Sequence, residues 1–286
     1  MNQHLWILKQ IARYKYLCVS QFYLLWYPCS DKTLYKHLNQ LVEKGLIGKS
    51  THKYHPKQWR VENIYILTEK WAEYLVKHNE DVVLDVNVTT RPKLLSHDYE
   101  HRKKTLTAQI IMDLSCDNLS INRFRYYHYF QKFRKPRWFP QTATKLQIDN
   151  EVIIPDSVAI SLWASYEVGE SSKKWTSQQL LFLIEIHNWH RVKKIVQQLK
   201  PYAMVIASWI AWSTFWLSVN PKILVLFEHE STLQSTLEIM SKDTYYTYLK
   251  DFYLFKTFED FKTDANSQRV NLRKEKVTLL ESSTEE

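Results

Sequence analysis

Two apolar stretches in the second half of the chain constrain its fold more than any other feature. The segments EVIIPDSVAISLW (151–163) and LLFLIEIHNW (180–189) are rich in branched and aromatic residues and have the length of buried strands. A basic amphipathic stretch, HRVKKIVQQLKPYAMVIASW, comes next, and another apolar run, KILVLFEH, follows it. An amphipathic helix that begins near Leu94 and one further strand-like run precede them. The order helix, three strands, helix, strand, helix predicts an α/β fold with a mixed sheet.

The first hundred residues predict a smaller unit that begins with three helices. The third, within CSDKTLYKHLNQLVEKGLI, is the clearest helix of the chain, with Ser30 as its N-cap and Gly45 as its C-terminal stop. The second helix is predicted to begin with Ser20 as its N-cap. The predicted buried stripe of the third helix consists of Leu34, Leu38, Leu41 and Val42.

A hairpin is predicted directly after the third helix. Its two strands, LIGKSTH and WRVENIYILT, flank KYHPK, a basic tip with a proline in the turn. Three helices followed by a two-stranded wing are typical of a winged helix-turn-helix. We therefore predict a winged helix-turn-helix domain over residues 1–85, so that the whole chain is of the α+β or α/β class.

The face of the third helix opposite the leucines carries polar side chains suited to duplex DNA. Lysines anchor phosphates, whereas asparagine and glutamine bond base edges in the major groove. The formal net charge of +9 also favours a polyanionic partner. The alternative is the solvated face of a winged helix that binds protein. The predicted DNA-binding residues are Lys32, Thr33, Lys36, Asn39 and Gln40 on the helix and Lys49, Lys53, Lys57 and Arg60 on the wing.

A Pro-Asp dipeptide ending in Asp156 and a Glu-Ile-His triplet from Glu185 to His187 lie in the two predicted strands. Their order resembles the Pro-Asp…(Asp/Glu)-x-Lys motif of restriction-endonuclease-like nucleases, with Glu100 as the acidic residue of the first helix. That resemblance implies a catalytic set of Glu100, Asp156, Glu185 and His187. It also implies that Asp156 and Glu185 hold Mg²⁺, which polarises the phosphate and generates hydroxide. His187 stands where the motif has a lysine that orients the water.

Four segments stand in order along residues 5–230: YILTEKWAEYL, LLSHDYEHR, IIPDSVAI and FLIEIHNWHRVKKIVQQLKPY. In this order they resemble the replication-relaxation family of plasmid and mobile-element proteins. The resemblance implies a winged helix joined to a nuclease-like domain, which we place at residues 92–263. In that family an aspartate commonly lies two residues after the glutamate, and His187 occupies this position here. This departure argues against a metal role and leaves the predicted fold unchanged.

Several other sequence features exclude classes of protein. Cys18, Cys29 and Cys116 are odd in number and lack C-x-x-C spacing, which argues against a zinc site or a disulfide framework and fits a reducing cytoplasm. Three glycines in all leave no phosphate-binding P-loop. The uncharged stretch 202–219 is interpreted as a packed helix rather than a membrane span. Residues 264–286 lose apolar periodicity and are predicted to form a flexible tail.

We therefore predict a cytoplasmic, sequence-specific DNA-binding protein of a mobile element, an accessory factor in plasmid replication or mobilisation. Its partners are double-stranded DNA and a relaxase or another mobilisation or replication protein; a homodimer is compatible with the sequence, and a membrane partner is not expected. The nuclease-like domain is expected to be inactive, so no cofactor is required. The enzyme alternative is a Mg²⁺-dependent nuclease or nickase that uses Asp156 and Glu185. A third alternative is a dimeric transcription repressor.

Overall fold

Two compact units divide the chain, Met1–Ile110 and Ile111–Glu286. The predicted domain boundary between residues 85 and 92 lies outside the residues that the structure describes. The structure, a computed structural model, describes residues 3–27, 29–50, 62–69, 71, 99–117, 124–128, 144–168, 173–208, 210–215, 217–246, 248–263 and 269–277.

The first unit combines helices with a small antiparallel sheet. Its three strands lie in the order β1-β3-β2, and β3 pairs with both neighbours. The helix Tyr99–Asp117 begins in this unit and continues past residue 110. The elements are α1 (Gln3–Tyr14), β1 (Tyr16–Cys18), α2 (Val19–Leu24), α3 (Asp31–Glu43), β2 (Ile47–Ser50), β3 (Ile64–Leu67) and α4 (Tyr99–Asp117).

The C-terminal end of α3 confirms the predicted glycine stop. Gly45 has a φ of +67°, a left-handed conformation that favours glycine. Its N–H donates to the carbonyl oxygen of Val42 at 2.9 Å, and the N–H of Leu46 donates to Leu41 at 3.0 Å. These two bonds satisfy carbonyls that the end of a helix otherwise leaves open, and the chain then turns into β2.

The two predicted N-caps have different outcomes. Ser30 is the N-cap residue of α3, although its hydroxyl lies 3.1 Å from that of Thr33 and makes no capping bond to the backbone. The prediction of Ser20 as the N-cap of α2 is wrong, because Cys18 occupies that position. The N–H of Cys18 donates to the side-chain oxygen of Gln21 at 3.0 Å. A reciprocal side-chain contact therefore starts this helix without a serine cap.

Ser20 belongs instead to a network centred on the carboxylate of Glu62. Glu62 accepts the backbone N–H of Ser20 at 3.0 Å, its hydroxyl at 2.8 Å and the ammonium of Lys103 at 2.5 Å. The side-chain amide of Gln21, which is buried, donates to the carbonyl of Lys103 at 3.1 Å and to the hydroxyl of Thr107 at 3.2 Å. These bonds attach the first half of α4 to α2 and to the start of β3.

The second unit is built on one large sheet with helices between its strands. The order of elements agrees with the predicted alternation, with three exceptions: a short hairpin comes before the first long strand, the helix after the second long strand is divided into three, and the strand Tyr253–Thr257 and the helix Phe258–Thr263 were not predicted. The elements are β4 (Arg125–His128), β5 (Leu146–Ile148), β6 (Glu151–Ile153), β7 (Ser157–Val168), β8 (Lys173–His187), α5 (Val192–Leu199), α6 (Tyr202–Ala207), α7 (Ile210–Phe215), β9 (Lys222–Phe227), α8 (Glu230–Lys242), a 3-10 turn (Thr244–Tyr246), β10 (Tyr253–Thr257), α9 (Phe258–Thr263), β11 (Arg269–Asn271) and β12 (Lys276–Val277).

The large sheet is mixed, as predicted. Its seven strands lie in the order β12-β11-β10-β9-β8-β7-β4. The central strands β8, β9 and β10 are parallel, and the remaining neighbours are antiparallel. Because the parallel strands end at the same edge, the loops after β8 and β9 emerge side by side.

A buried cluster in the second unit joins strands of this sheet to helices that pack against it. Leu181 and Leu183 of β8 belong to the same buried cluster as Ile195 and Leu199 of α5. The uncharged segment 202–219, interpreted as packed helix, contains α6 and α7. In the described part of the chain, no helix is both long and apolar enough to cross a membrane.

Residues 269–277 differ from the flexible tail predicted over 264–286. They form β11 and β12, and β11 pairs with β10 through Leu254 and Asn271. Arg269 and Asn271 are both buried. The two short strands lack apolar alternation, and they are held in the sheet by the pairing of β11 with β10 and of β12 with β11.

Candidate carboxylate site and nucleic-acid interface

The side chains of Asp156 and Glu185 come together where β7 begins and β8 ends. Ser157 pairs with Ile184 in the antiparallel β7–β8 register, so Asp156 and Glu185 are the next residues opposite each other. Oδ2 of Asp156 accepts the backbone N–H of Ile186 at 2.8 Å. This bond fixes Asp156 against the neighbouring strand, and two of the predicted site residues are thereby brought together.

The carboxyl group of Glu185 is held in an environment that disfavours its charge. Burial, and then the negative charge of Asp156, raise the pKa of Glu185 well above its ordinary value. A hydrogen bond from the hydroxyl of Tyr202 to Oε1 of Glu185 acts in the opposite direction and lowers that pKa in part. Burial and Glu185 in turn raise the pKa of Tyr202, so the phenol remains a donor. The pair therefore favours a state in which Glu185 retains a proton.

His187 lies on the same face of β8 as Glu185, because side chains two residues apart in a strand point the same way. It pairs in register with Phe227 of β9, and the two ring centroids are 5.7 Å apart. Only 8% of His187 is exposed. The position at which the nuclease motif has a lysine thus holds a buried imidazole beside an aromatic ring.

The acidic residue predicted on the first helix is in a different setting. Glu100 lies in the first turn of α4, and its side chain is exposed. It belongs to the first compact unit, whereas Asp156 and Glu185 belong to the second. Among the described residues, no group of three or more His, Cys, Asp or Glu side chains is arranged to hold a metal ion. Asp156 and Glu185 are the two carboxylates that could contribute oxygen ligands to one.

The face of α3 opposite its buried leucines carries three of the predicted DNA-binding residues in exposed positions. These are Lys32, Lys36 and Asn39, whereas Leu34, Leu38 and Leu41 are fully buried.

Two other residues predicted on that face have partners within the first unit. Gln40 is half-buried, and its side-chain oxygen lies 3.2 Å from the imidazole of His4. Thr33 is also half-buried and contacts Ser30. On the predicted wing, Lys49 of β2 is exposed, and Lys53, Lys57 and Arg60 lie outside the described residues.

Three aromatic residues near these sites were not among the predicted site residues. Tyr202 is visible in the sequence as the tyrosine that ends KPY, but its contact with Glu185 joins residues 17 positions apart on different elements. Tyr35 is 42% exposed on α3, and Trp189 is 54% exposed just after β8. Aromatic residues are usually buried. The exposure of Tyr35 and Trp189 depends on how their elements are oriented in the fold, and the sequence carries no local signal for it.

Comparison of the chain with protein-family models, with curated proteins and with solved structures finds no match in any of the three.

Proposed function

We propose that the chain is a duplex-DNA-binding protein of a mobile element, in which the first unit acts as a winged helix-turn-helix. The observation that carries this proposal is the face of α3, where exposed Lys32, Lys36 and Asn39 lie opposite three fully buried leucines. Two lysines spaced four residues apart on a helix suit adjacent phosphates, and an exposed asparagine three residues after the second lysine suits a base edge. The net charge of +9 adds non-specific affinity.

The resemblance of four sequence segments to the replication-relaxation family supports a role in plasmid replication or mobilisation. In this proposal the second unit is nuclease-like in fold, contacts DNA a second time and binds a relaxase or another replication protein. A mixed sheet with the Pro-Asp and Glu-x-His motifs on adjacent strands agrees with that resemblance. No cofactor is required for binding.

The proposed absence of cleavage rests on how the carboxylate pair is engaged. Tyr202 bonds an oxygen of Glu185, and the pKa of Glu185 is raised, so that a metal would have to displace a proton to bind there. His187 lies buried against Phe227 in the place of the lysine. A duplex would accordingly be bound and not cut.

Fluorescence anisotropy with labelled duplex DNA tests the α3 interface. Lys36→Ala is expected to weaken binding to all sequences and to reduce the slope of log K against log salt by about one unit. Asn39→Ala is expected to reduce discrimination between sequences by about 1–3 kcal/mol. Lys9→Ala removes an exposed lysine from α1 and serves as the matched control. Equal duplex affinity of the wild type and a Lys32→Ala/Lys36→Ala double variant would refute the α3 proposal.

A second candidate function, a Mg²⁺-dependent nuclease, is favoured by one observation, the adjacency of Asp156 and Glu185. Supercoiled plasmid incubated with the protein and Mg²⁺ or Mn²⁺ separates the two proposals. We expect the plasmid to survive while remaining bound. Nicking by the wild type that is lost in both Asp156→Ala and Glu185→Ala, with DNA binding unchanged, would establish the enzyme instead.

A further inference from the structure

The loop between β8 and α5, together with the first turn of α5, presents an aromatic ring and several cations to solvent. Trp189 is 54% exposed, which is unusual for the largest apolar side chain. The ammonium of Lys194 lies 4.3 Å from the centroid of the Trp189 ring. Arg191 and Lys193 are also exposed. These four residues, Trp189, Arg191, Lys193 and Lys194, are called the Trp189 cluster below.

The Trp189 cluster lies at the carboxyl end of the parallel strands. His187 is the last residue of β8, and the loop that carries Trp189 follows it directly. In this loop His190 stacks on His229, which follows β9, with ring centroids 4.0 Å apart and planes inclined by 19°. His190 Nδ1 also lies 3.5 Å from the hydroxyl of Thr232 on α8. The loop is thus held by its neighbour at the edge of the sheet where α/β proteins usually bind ligands.

The indole of Trp189 is only partly covered by its neighbours. The ammonium of Lys194 covers one side of the ring as a cation–π contact. More than half of the residue is nevertheless exposed, so indole surface that Lys194 does not cover remains for contact with a planar ligand. A nucleobase has the size and the π surface to stack there, and such stacking is tolerant of sequence.

The charges around this ring suit a polyanion. From Asn188 to Lys200 the chain contains four lysines or arginines and no acidic residue. The nearest acidic residues along the neighbouring loop, Glu228 and Glu230, follow β9, and Glu230 is bonded to Gln234. Backbone phosphates are therefore expected on the α5 side of Trp189, next to Arg191 and Lys193.

We propose that the Trp189 cluster binds single-stranded DNA, with a base stacked on the uncovered indole surface of Trp189 and adjacent phosphates at Arg191, Lys193 and Lys194. The inference rests on the proposed role of the second unit in contacting DNA, and it names the form of DNA that this unit takes. Duplex DNA does not fit the same site, because its bases are already stacked inside the helix and expose no face to the indole.

Anisotropy of a fluorescein-labelled oligothymidine of about 15 nucleotides, a length within the usual site sizes, tests this with the full-length protein. Trp189→Ala is expected to weaken binding about tenfold, whereas Trp189→Phe retains most of the affinity because the ring is kept. Lys194→Ala is expected to reduce the slope of log K against log salt by about 0.7. The control variant is Trp26→Ala, since Trp26 is 81% exposed but belongs to the first unit.

Failure of the wild type to bind the oligothymidine overturns the inference, as does an equal loss of affinity in Trp26→Ala and Trp189→Ala. The Lys32→Ala/Lys36→Ala variant, measured on both DNAs, separates this inference from the α3 proposal. If this variant loses duplex binding and keeps oligothymidine binding, the result supports α3 as the duplex site and a separate site for single-stranded DNA. If the Lys32→Ala/Lys36→Ala variant still binds the duplex normally, the α3 proposal is refuted. Loss of oligothymidine binding in Trp189→Ala would in that case still support the Trp189 cluster.

Discussion

Replacing Glu185 by glutamine should stabilise the protein at neutral and alkaline pH. Glutamine has nearly the same shape as protonated glutamate, so it preserves an acceptor for the hydroxyl of Tyr202 and cannot acquire the negative charge that burial and Asp156 disfavour. Because the folded-state pKa of Glu185 is raised above its ordinary value of 4.5, its contribution to stability is complete below that value. The contribution is lost as the pH rises through the folded-state pKa.

The magnitude follows from the geometry of the pair. Residues opposite each other on antiparallel strands have Cβ atoms about 5 Å apart, and two unit charges at that distance repel by about 3 kcal/mol at an effective dielectric constant of about 20. A neutral amide gives up about 1 kcal/mol of the charge-assisted bond from Tyr202. Burial of the charge adds to the effect, and removal of the repulsion alone gives a net gain of about 2 kcal/mol where wild-type Glu185 is ionised. For a unit of this size it corresponds to a rise of about 4–8 °C in Tm.

Thermal unfolding followed by circular dichroism at about pH 5 and about pH 9, on either side of neutrality, measures the effect. The gap in Tm between Glu185→Gln and the wild type should be small at the lower pH and should widen at the higher one. Glu259→Gln removes an exposed carboxylate paired with Lys262 on α9, and it should show no such widening. A gap that is constant, or a variant less stable than the wild type at high pH, would refute the reasoning.

Three further predictions concern the first unit. Gly45→Ala should lower the free energy of unfolding, measured with urea, by about 1 kcal/mol, because an added Cβ meets nothing within 4 Å and only the positive φ is strained. Trp26→Gly should raise the free energy of unfolding by about the same amount, since exposed Trp26 has a φ of +58°. Burial, and then His4 and Lys36, lower the pKa of His37. The contribution of His37 to stability is therefore present above about pH 6.5 and lost as the pH falls through the folded-state pKa. In His37→Gln, the fall of Tm between about pH 7.5 and about pH 5 should be smaller than in the wild type. A fragment of residues 1–110 should melt cooperatively at a higher temperature than a fragment of residues 1–85. The shorter fragment lacks Lys103 and Thr107, so buried Gln21 loses two hydrogen-bond acceptors, each at a cost of about 1–3 kcal/mol. Equal melting temperatures would contradict this.

Local pattern was sufficient to predict the elements that carry the site. The apolar runs that became β7, β8 and β9 owe their structure to burial on a central sheet, which leaves a continuous mark in sequence. The leucine spacing and glycine stop of α3 likewise act within one helix. That Asp156 and Glu185 meet was expected from the resemblance of these two runs to the nuclease motif, and not from the apolar pattern itself.

Features that depend on distant partners could not be predicted in this way. Ser20 has the chemistry of an N-cap, but Glu62, which is 42 residues away, takes its hydroxyl. Tyr202 reaches Glu185 only because α5 and α6 return across the face of β8. The strands β11 and β12 have no apolar alternation; β11 is ordered by pairing with β10, and β12 by pairing with β11. In each case the deciding interaction joins elements whose relative direction is set by the tertiary fold.

Three features of the carboxylate site oppose a second negative charge there: burial, the closeness of the two carboxyl groups, and a histidine in place of the lysine. A metal ion needs Asp156 and Glu185 ionised and with open oxygens, while burial and mutual repulsion oppose a second negative charge. In a nuclease, the lysine two residues after the glutamate favours that charge by its own positive charge. A histidine there supplies a full positive charge only when it is protonated, and His187 is buried beside Phe227. When Glu185 retains its proton and accepts the hydroxyl of Tyr202, the second negative charge is absent and no cation is needed to offset it. The proposed lack of cleavage therefore rests on Glu185, Tyr202 and His187 together, and not on the histidine alone.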